Sequence, residues 1–170
     1  MENRIKEKIP VWFPVAPIMV IVCIYCVLLL ADQIVVWLNI GNELSIPFPI
    51  GYIVGWPLIV IGLAYFFWGF YQLRPAAAIG FAKRLRDKGA YGLTRNPMYF
   101  GLNAAFWGVG LVLDKTSIVI GAFIWSSMNY LSVTLWEEKQ MYGKFGDEYL
   151  EYKKRVSRFI PIKLNRSDLS

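Results

Sequence analysis

Histidine is absent from the sequence, and cysteine occurs only twice in its 170 residues. Because histidine and cysteine are the usual protein ligands of zinc and haem iron, this scarcity argues against both kinds of centre. Cys23 and Cys26 lie inside a long apolar run, where a cysteine pair serves as small apolar filler more often than as a metal or redox site. The sequence therefore predicts no metal site.

Charged residues are also missing from four long stretches, and this absence sets the fold class. The uncharged runs cover residues 12–31, 50–71, 98–113 and 117–136. A helix needs about 20 apolar residues to cross a bilayer, which three of the runs supply, while the third run is shorter. We therefore predict an all-α integral membrane protein with four transmembrane helices, in one domain over residues 1–170. Without ionisable groups inside the runs, a proton or ion pathway is disfavoured.

Basic residues outnumber acidic ones by 18 to 12, and they are unevenly placed between the runs. They gather before the first run, between the second and third, and after the fourth, whereas the other two loops share one basic residue, Lys115. Since positive loops stay on the cytoplasmic side, both termini are expected to be cytoplasmic. Membrane topology and anionic lipid thus account for the net charge of +6, and no nucleic-acid partner is expected.

Small and polar residues mark particular faces of the apolar runs. The second run carries four glycines: Gly51, Gly55, Gly62 and Gly69. Their helical spacing indicates close contact with another helix, either within the chain or in a dimer. The fourth run carries five polar side chains: Ser126, Ser127, Asn129, Ser132 and Thr134. Two interpretations stay open for this row, hydrogen bonding between helices and a cavity in which Asn129 and Ser132 bind the substrate.

The loop before the third run reads GAYGLTRNPMYFG, from Gly89 to Gly101. Asn96 and Pro97 form a plausible helix entrance, with Asn96 as the cap and Pro97 as the first helical residue. Free amides at such an entrance, together with the planar guanidinium of Arg95, can bind a carboxylate or another anion. The loop is therefore predicted to be one half of a binding site.

A second polar group, Glu137 and Glu138, directly follows the fourth run and lies on the same side of the membrane by the charge rule. Adjacent helical residues point about 100° apart, so one carboxylate can face a site while the other faces water or a basic residue. We favour Glu138 for the inward position, although the sequence does not decide between the two. This pair is predicted to be the other half of the site.

Two segments beside these motifs are predicted to form short amphipathic helices at the membrane surface. In Ala76 to Arg86, apolar residues recur every three to four positions, opposite basic ones. The C-terminal region carries an apolar stripe that is interrupted at Gly143 and Gly146. After this interruption, Asp147 is expected to cap a helix from Glu148 to Val156.

The ordered set of motifs resembles the isoprenylcysteine carboxyl methyltransferase and phospholipid methyltransferase superfamily of integral membrane enzymes. The set consists of RNPMY at a span entrance, WEE after the next span and FGDEYLEYKKRVSRFIP in the tail, within residues 74–161. The resemblance implies that the cytoplasmic loop and the C-terminal amphipathic helices form a pocket for the cofactor S-adenosylmethionine (SAM). By motif position it implies these cofactor-binding residues: Tyr91, Leu93, Thr94, Arg95, Asn96, Pro97, Tyr99, Gly101, Glu137 and Glu138. Arg95 and Glu138 are the candidates for catalysis.

At Asn96 the sequence departs from the pattern, because many members of the superfamily have histidine there. Asparagine can cap a helix or hydrogen-bond a ligand, but it cannot act as a general base. An amine acceptor would therefore need another proton acceptor, and Glu137 and Glu138 are the only well-placed carboxylate pair. A carboxylate or thiolate acceptor needs no base.

The function implied by the resemblance is SAM-dependent methyl transfer to a lipophilic or membrane-embedded acceptor that carries a carboxylate, an amine or a thiol. The expected location is the inner membrane of a bacterium or archaeon. Two alternatives stay open. A membrane reductase-like protein would bind a nicotinamide nucleotide, but such proteins have more spans. A non-enzymatic membrane protein would use the two motifs only to end its helices.

Overall fold

The computed structural model describes residues 15–47, 49–73 and 85–161, and within these ranges the chain is helical and contains no strand. Two isolated β-bridges, Glu43 with Lys115 and Thr94 with Ser157, join its loops. The helices are α1 (Val15–Trp37), α2 (Ile50–Leu73), α3 (Pro97–Val112), α4 (Thr116–Ser132), α5 (Glu138–Phe145) and α6 (Asp147–Arg155). A 3₁₀ turn, Gly89–Gly92, precedes α3, and a π-helical segment, Val133–Glu137, joins α4 to α5.

Two helices of the described part are long and apolar enough to cross a membrane. They are Ile50–Gln72 in α2 and the continuous helix Thr116–Phe145, which contains α4, the π segment and α5. Val22–Trp37 in α1 is a shorter apolar helix. The all-helical, membrane-type class predicted from the sequence is therefore confirmed, while the full set of four spans stays a prediction.

The helix bounds follow the apolar runs closely, except that α1 and the long helix from Thr116 continue past the ends of their runs. The first run ends at Ala31, whereas the helix continues through Asp32 to Trp37. The reason lies in its packing, because Val27, Ala31 and Val35 form a buried stripe along one side of α1. Ala31 faces Gly121 of α4, so the contact with α4 extends the helix past the charged residue.

The most extensive helix contact joins α2 to α3, which run antiparallel. Gly55 of α2 faces the carbonyl oxygen of Gly108 in α3, and Gly62 faces that of Gly101. A Cβ atom placed on Gly62 would lie 2.5 Å from the Gly101 oxygen, a distance that real Cβ atoms do not show. The glycine face predicted on the second run is therefore used for packing within the chain.

The two connections at one end of the bundle are bonded to each other. The backbone amide of Thr116 donates to the Asn42 carbonyl (3.3 Å), and the amide of Ser117 donates to the Asn42 side-chain oxygen (3.0 Å). Asp114 accepts from the amides of Leu44 and Ile46 in the same loop. The α1–α2 loop and the α3–α4 turn therefore lie at the same end, and the loop that contains Arg95 lies at the other.

The short C-terminal helices form a small aromatic cluster. Tyr149, Tyr152 and Val156 are buried, and Leu85, Met141 and Phe145 pack against them. Gly143 does not interrupt α5, while Gly146 ends it with a left-handed φ of 53°. Asp147 is the first residue of α6 and makes no side-chain cap bond within the described chain, so the predicted cap is wrong.

Some predictions fall outside the described residues. The surface helix expected at 76–86 is one of them, apart from Leu85 and Arg86, which are described and are not helical. The basic lead before the first run is another.

Candidate functional site

The loop before α3 is held by the C-terminal tail. The hydroxyl of Thr94, which is completely buried, donates to the carbonyl oxygen of Arg158 at 3.0 Å. The backbone amide of Arg95 donates to the Ser157 carbonyl at 2.9 Å. The side-chain amide of Asn96 donates to the same Arg158 carbonyl at 3.0 Å. Three consecutive residues thus bond to the tail, so the tail is a wall of this region.

Asn96 precedes α3 as the sequence predicts, and Pro97 is the first helical residue. The Asn96 side chain, however, makes no cap bond to the start of the helix within the described chain, so the prediction that Asn96 caps α3 is wrong. The physical reason is competition, because the bond from the side-chain amide to the Arg158 carbonyl fixes the side chain in an orientation in which its oxygen does not accept from the first amides of α3.

Glu138, which is buried, lies at the centre of a group of charged side chains. Nε and Nη2 of Arg158 donate to its two carboxylate oxygens, at 2.8 and 3.1 Å. Arg95 Nη1 lies 2.7 Å from Oε1, and Lys153 Nζ lies 3.1 Å from Oε2. Burial favours the neutral acid, but the bonds from Arg158 and then the charge of Arg95 outweigh it, so the pKa of Glu138 is lowered. Glu138 is therefore a stable carboxylate.

Arg95 has donors that the described chain leaves unused. Its side chain is only 9% exposed. Its Nη1 forms an ion pair with Glu138 Oε1 at 2.7 Å, but neither Nη1 nor Nε makes an aligned hydrogen bond with any described residue. Buried polar groups normally have partners, so donors without aligned hydrogen bonds are candidates for binding an anionic ligand group.

We call this group of side chains the charged junction. It consists of Thr94, Arg95, Asn96, Thr134, Glu138, Lys153 and Arg158. Thr134 belongs to it because Nη1 of Arg158 donates to its hydroxyl at 3.1 Å. The junction joins three segments that are distant in sequence: the loop before α3, the end of the long helix and the tail.

Glu137 faces a different neighbourhood from Glu138. It accepts a hydrogen bond from the Tyr99 hydroxyl at 2.6 Å, and its charge also acts on Tyr91, whose pKa is raised by burial and then by this charge. Burial raises the pKa of Glu137, and the bond from Tyr99 partly offsets that rise. Of the two carboxylates, Glu137 is therefore the one suited to take up and release a proton.

The π-helical segment explains how neighbouring glutamates come to have such different surroundings. Val133–Glu137 adds an extra residue to one turn of the long helix, directly before Glu138. Short π segments of this kind are frequent at functional sites, because they change the direction of the side chains that follow. No pattern in the sequence predicted this segment.

The other predicted cofactor-binding residues are placed less uniformly. Tyr91 lies near Glu137, and its carbonyl accepts from the Tyr152 hydroxyl at 2.6 Å. Leu93 lines an open cavity of about 590 Å³ together with Gly89, Gly92 and Trp68. Gly101 is used in helix packing, since a Cβ atom there would lie 2.5 Å from the backbone nitrogen of Phe66.

The two predicted substrate-binding residues lie on α4, before the π segment. Asn129 is buried, and its amide donates to the side-chain oxygen of Asn103 in α3 at 3.2 Å. About one turn from there, Trp107 donates to the Ser126 hydroxyl at 3.1 Å. Ser132 lies exposed on the helix. The polar row on α4 is therefore used at least partly for hydrogen bonding between helices.

Sequence reasoning missed Arg158, Thr134 and Lys153 as members of the site. The signal for Arg158 is its position in the terminal RFIP motif, and Lys153 lies in the helix from Glu148 to Val156 that the sequence predicts at the membrane surface. Their role depends on the tail folding back against Glu138, which no spacing in the sequence reveals.

These observations define a class of protein: it is all-helical, has membrane-type helices and carries a polar site at one end of its helix bundle. A family model described as phospholipid methyltransferase matches residues 50–148, more than half of the chain. The chain therefore belongs to the phospholipid methyltransferase family, which identifies it as a methyltransferase by family. Membership also implies a methyl donor and, with the apolar helices, a membrane setting.

One curated relative is methanethiol S-methyltransferase 1 of Bradyrhizobium diazoefficiens. The two sequences are 34% identical over 71 residues, which are 42% of this chain and 24% of the relative. The match thus spans about a quarter of the length of that relative. No solved structure matches the chain.

Proposed function

We propose that this chain is a SAM-dependent methyltransferase that acts on a lipophilic or membrane-embedded acceptor. The observation that carries the proposal is the buried guanidinium of Arg95, whose Nε and Nη1 lack aligned partners in the described chain. SAM has a carboxylate that such donors suit. When bound, it supplies an electrophilic methyl group on a sulfonium centre.

The residues that we propose to hold the cofactor are those that the structure gathers near Arg95 and Tyr99. Arg95 binds the carboxylate, and Asn96, whose amide is already committed to the tail, offers its side-chain oxygen as an acceptor. Tyr91, Tyr99 and Glu137 form a second polar wall. The backbone of Leu93, Thr94 and Pro97 shapes the loop. Gly101 is better explained by its contact with α2.

For the chemical step, we propose that Glu137 rather than Glu138 accepts a proton from the nucleophile. The support is the difference in their partners, since Glu138 is bound by three cationic side chains and Glu137 by the Tyr99 hydroxyl. An acceptor that loses a proton, a thiol or an amine, fits this arrangement. A thiol is also the acceptor in the name of the relative, and a phospholipid is in the name of the family.

We further propose a single domain with four spans and both termini on the cytoplasmic side of a bacterial or archaeal inner membrane. The bonded α1–α2 and α3–α4 connections at one end support an up-and-down arrangement of the helices. In that arrangement the charged junction lies at the cytoplasmic end, where SAM is available and a lipophilic acceptor can enter from the bilayer.

The first test is calorimetric binding of SAM to the detergent-solubilised protein. Wild type is expected to bind, and Arg95→Ala is expected to lose binding while it keeps a helical circular dichroism spectrum. Lys154→Ala is the matched control, because its side chain is 63% exposed and pairs with Glu151 on the surface. No binding by folded wild type would refute the proposal.

A second test identifies the acceptor class. Purified protein with methyl-labelled SAM would be offered three amphiphiles of equal chain length that end in a thiol, an amine or a carboxylate. We expect label in the thiol or amine product. Label in the carboxylate product alone would contradict the role assigned to Glu137.

A further inference from the structure

Arg158 stands out among the charged side chains because it lies beyond the region that the family model matches, yet contacts every segment of the charged junction. The family match ends at residue 148. The Arg158 side chain donates to Glu138 and Thr134, and the Arg158 backbone carbonyl accepts from Thr94 and Asn96. The guanidinium also lies over the Tyr130 ring, 5.7 Å from its centre.

The contact between Arg158 and Glu138 is the best aligned in the group. Two N–H groups of one guanidinium reach the two oxygens of one carboxylate, which is the geometry in which arginine binds carboxylates most specifically. Arg95, in contrast, lies within 2.7 Å of the same carboxylate without an aligned hydrogen bond. The two arginines thus share one acceptor: Arg95 contacts it as an ion pair, and Arg158 makes the aligned hydrogen bonds.

We propose that Arg158 is a positioning residue that keeps Arg95 available for ligand. By fixing both oxygens of Glu138, it prevents the carboxylate, which already lies 2.7 Å from Arg95 Nη1, from turning further and forming aligned hydrogen bonds with the donors that the anionic group of the cofactor needs. Arg158 acts through Glu138 and does not itself touch the cofactor. The inference rests on the proposed function, since it assumes that Arg95 binds the SAM carboxylate.

Lys153 cannot replace Arg158 in this role. Its ammonium lies 3.1 Å from one Glu138 oxygen, and its side chain is 36% exposed. An ammonium is a point charge on a flexible stem, so it neutralises the carboxylate without fixing its orientation. Removing Lys153 therefore tests the effect of charge alone. Replacing Arg158 by lysine keeps the positive charge and removes the paired hydrogen bonds to the two Glu138 oxygens.

The experiment compares SAM dissociation constants and binding stoichiometry, measured by calorimetry, with thermal unfolding in the same detergent. Arg158→Lys is expected to weaken binding roughly tenfold, which corresponds to the loss of one charge-assisted hydrogen bond. Lys153→Ala is expected to change the dissociation constant less. In a Glu138→Ala background, Arg158→Lys is expected to have no further effect, because its action passes through Glu138.

The outcomes separate the two proposals. If folded wild type binds no SAM, the proposed function fails and this inference fails with it. If wild type binds and Arg158→Lys binds with the same constant, the inference alone is overturned, and a lower unfolding temperature or stoichiometry in that variant would leave Arg158 a purely structural role. A weaker constant at unchanged stoichiometry, lost in the Glu138→Ala background, supports it.

Discussion

The α2–α3 contact and the charged junction hold the chain together by opposite means. Along α2 and α3, glycines let two backbones touch, and the contact contains no charged side chain among the described residues. At the junction, three cationic side chains gather around one carboxylate, and long side chains bridge segments far apart in sequence. The first contact has little freedom to rearrange, whereas the second can exchange partners. A ligand site needs the second kind.

The largest expected effect comes from removing the shared carboxylate of the junction. Glu138→Ala leaves Arg95, Arg158 and Lys153 without their acceptor, and breaking a buried ion pair in this way costs about 3–5 kcal/mol. The free energy of unfolding in detergent would measure it. Glu151→Ala is the control, since that side chain is 61% exposed and surface pairs contribute about 0–1 kcal/mol. Equal losses in both variants would mean that the junction does not stabilise the fold.

The next effect concerns the glycine contact. In Gly62→Ala the new Cβ atom would lie 2.5 Å from the Gly101 oxygen and 2.6 Å from the Ala105 nitrogen, and backbone atoms cannot give way as flexible side chains do. We expect a loss of about 1–3 kcal/mol in unfolding free energy. Gly143→Ala is the matched control, because no described atom lies within 4 Å of its Cβ position.

The control is expected to keep or slightly raise stability, since alanine favours a helix over glycine by up to about 1 kcal/mol. If Gly62→Ala is as stable as Gly143→Ala, the close approach of α2 and α3 is wrong.

A smaller effect concerns the proton acceptor. Tyr99 donates to Glu137, and this bond lowers the pKa of Glu137 against the larger effect of burial. Removing the hydroxyl in Tyr99→Phe therefore raises that pKa further. If the ionised carboxylate is the active form, the rising limb of the methyl-transfer rate against pH moves to higher pH. Tyr142→Phe, at a side chain 49% exposed, is the control. A profile that does not move in Tyr99→Phe would argue against Glu137 as the base.

How far the sequence predicted these two regions follows from the kind of interaction in each. The glycine face of α2 and the start of α3 at Pro97 could be predicted, because small-residue spacing and proline position are local signals. The position of Arg95 and of the Glu137–Glu138 pair at one end also followed from charge and run length.

What the sequence could not supply is the pairing of charges. Arg158 reaches Glu138 across 20 positions, and a competing lysine, Lys153, lies nearer in the chain. The π segment has no sequence signature of its own, yet it accompanies the different surroundings of Glu137 and Glu138. Asn96 was expected to cap α3, and its amide instead serves the Arg158 carbonyl, a partner 62 positions away.

The smallest expected effect comes from Asn129→Ala, which tests whether Asn129 belongs to the helix contact or to the substrate site. The bond from Asn129 of α4 to Asn103 of α3 makes it part of the helix contact, although the sequence also allowed a substrate-binding role. Hydrogen bonds between membrane helices are worth about 0.6 kcal/mol on average, so Asn129→Ala is expected to lower the free energy of unfolding by that amount. Ser132→Ala, at an exposed position, is expected to change nothing.

Kinetics with the identified acceptor decides between the two roles of Asn129. A helix-packing residue leaves the KM for the acceptor unchanged, because the folded enzyme still presents the same site. A substrate-binding residue raises that KM with little effect on unfolding, since removing uniform binding acts on KM and spares kcat. A raised KM in Asn129→Ala would mean that the substrate site includes the α3–α4 contact. An unchanged KM would mean that the site extends no further than Tyr99 and Glu137.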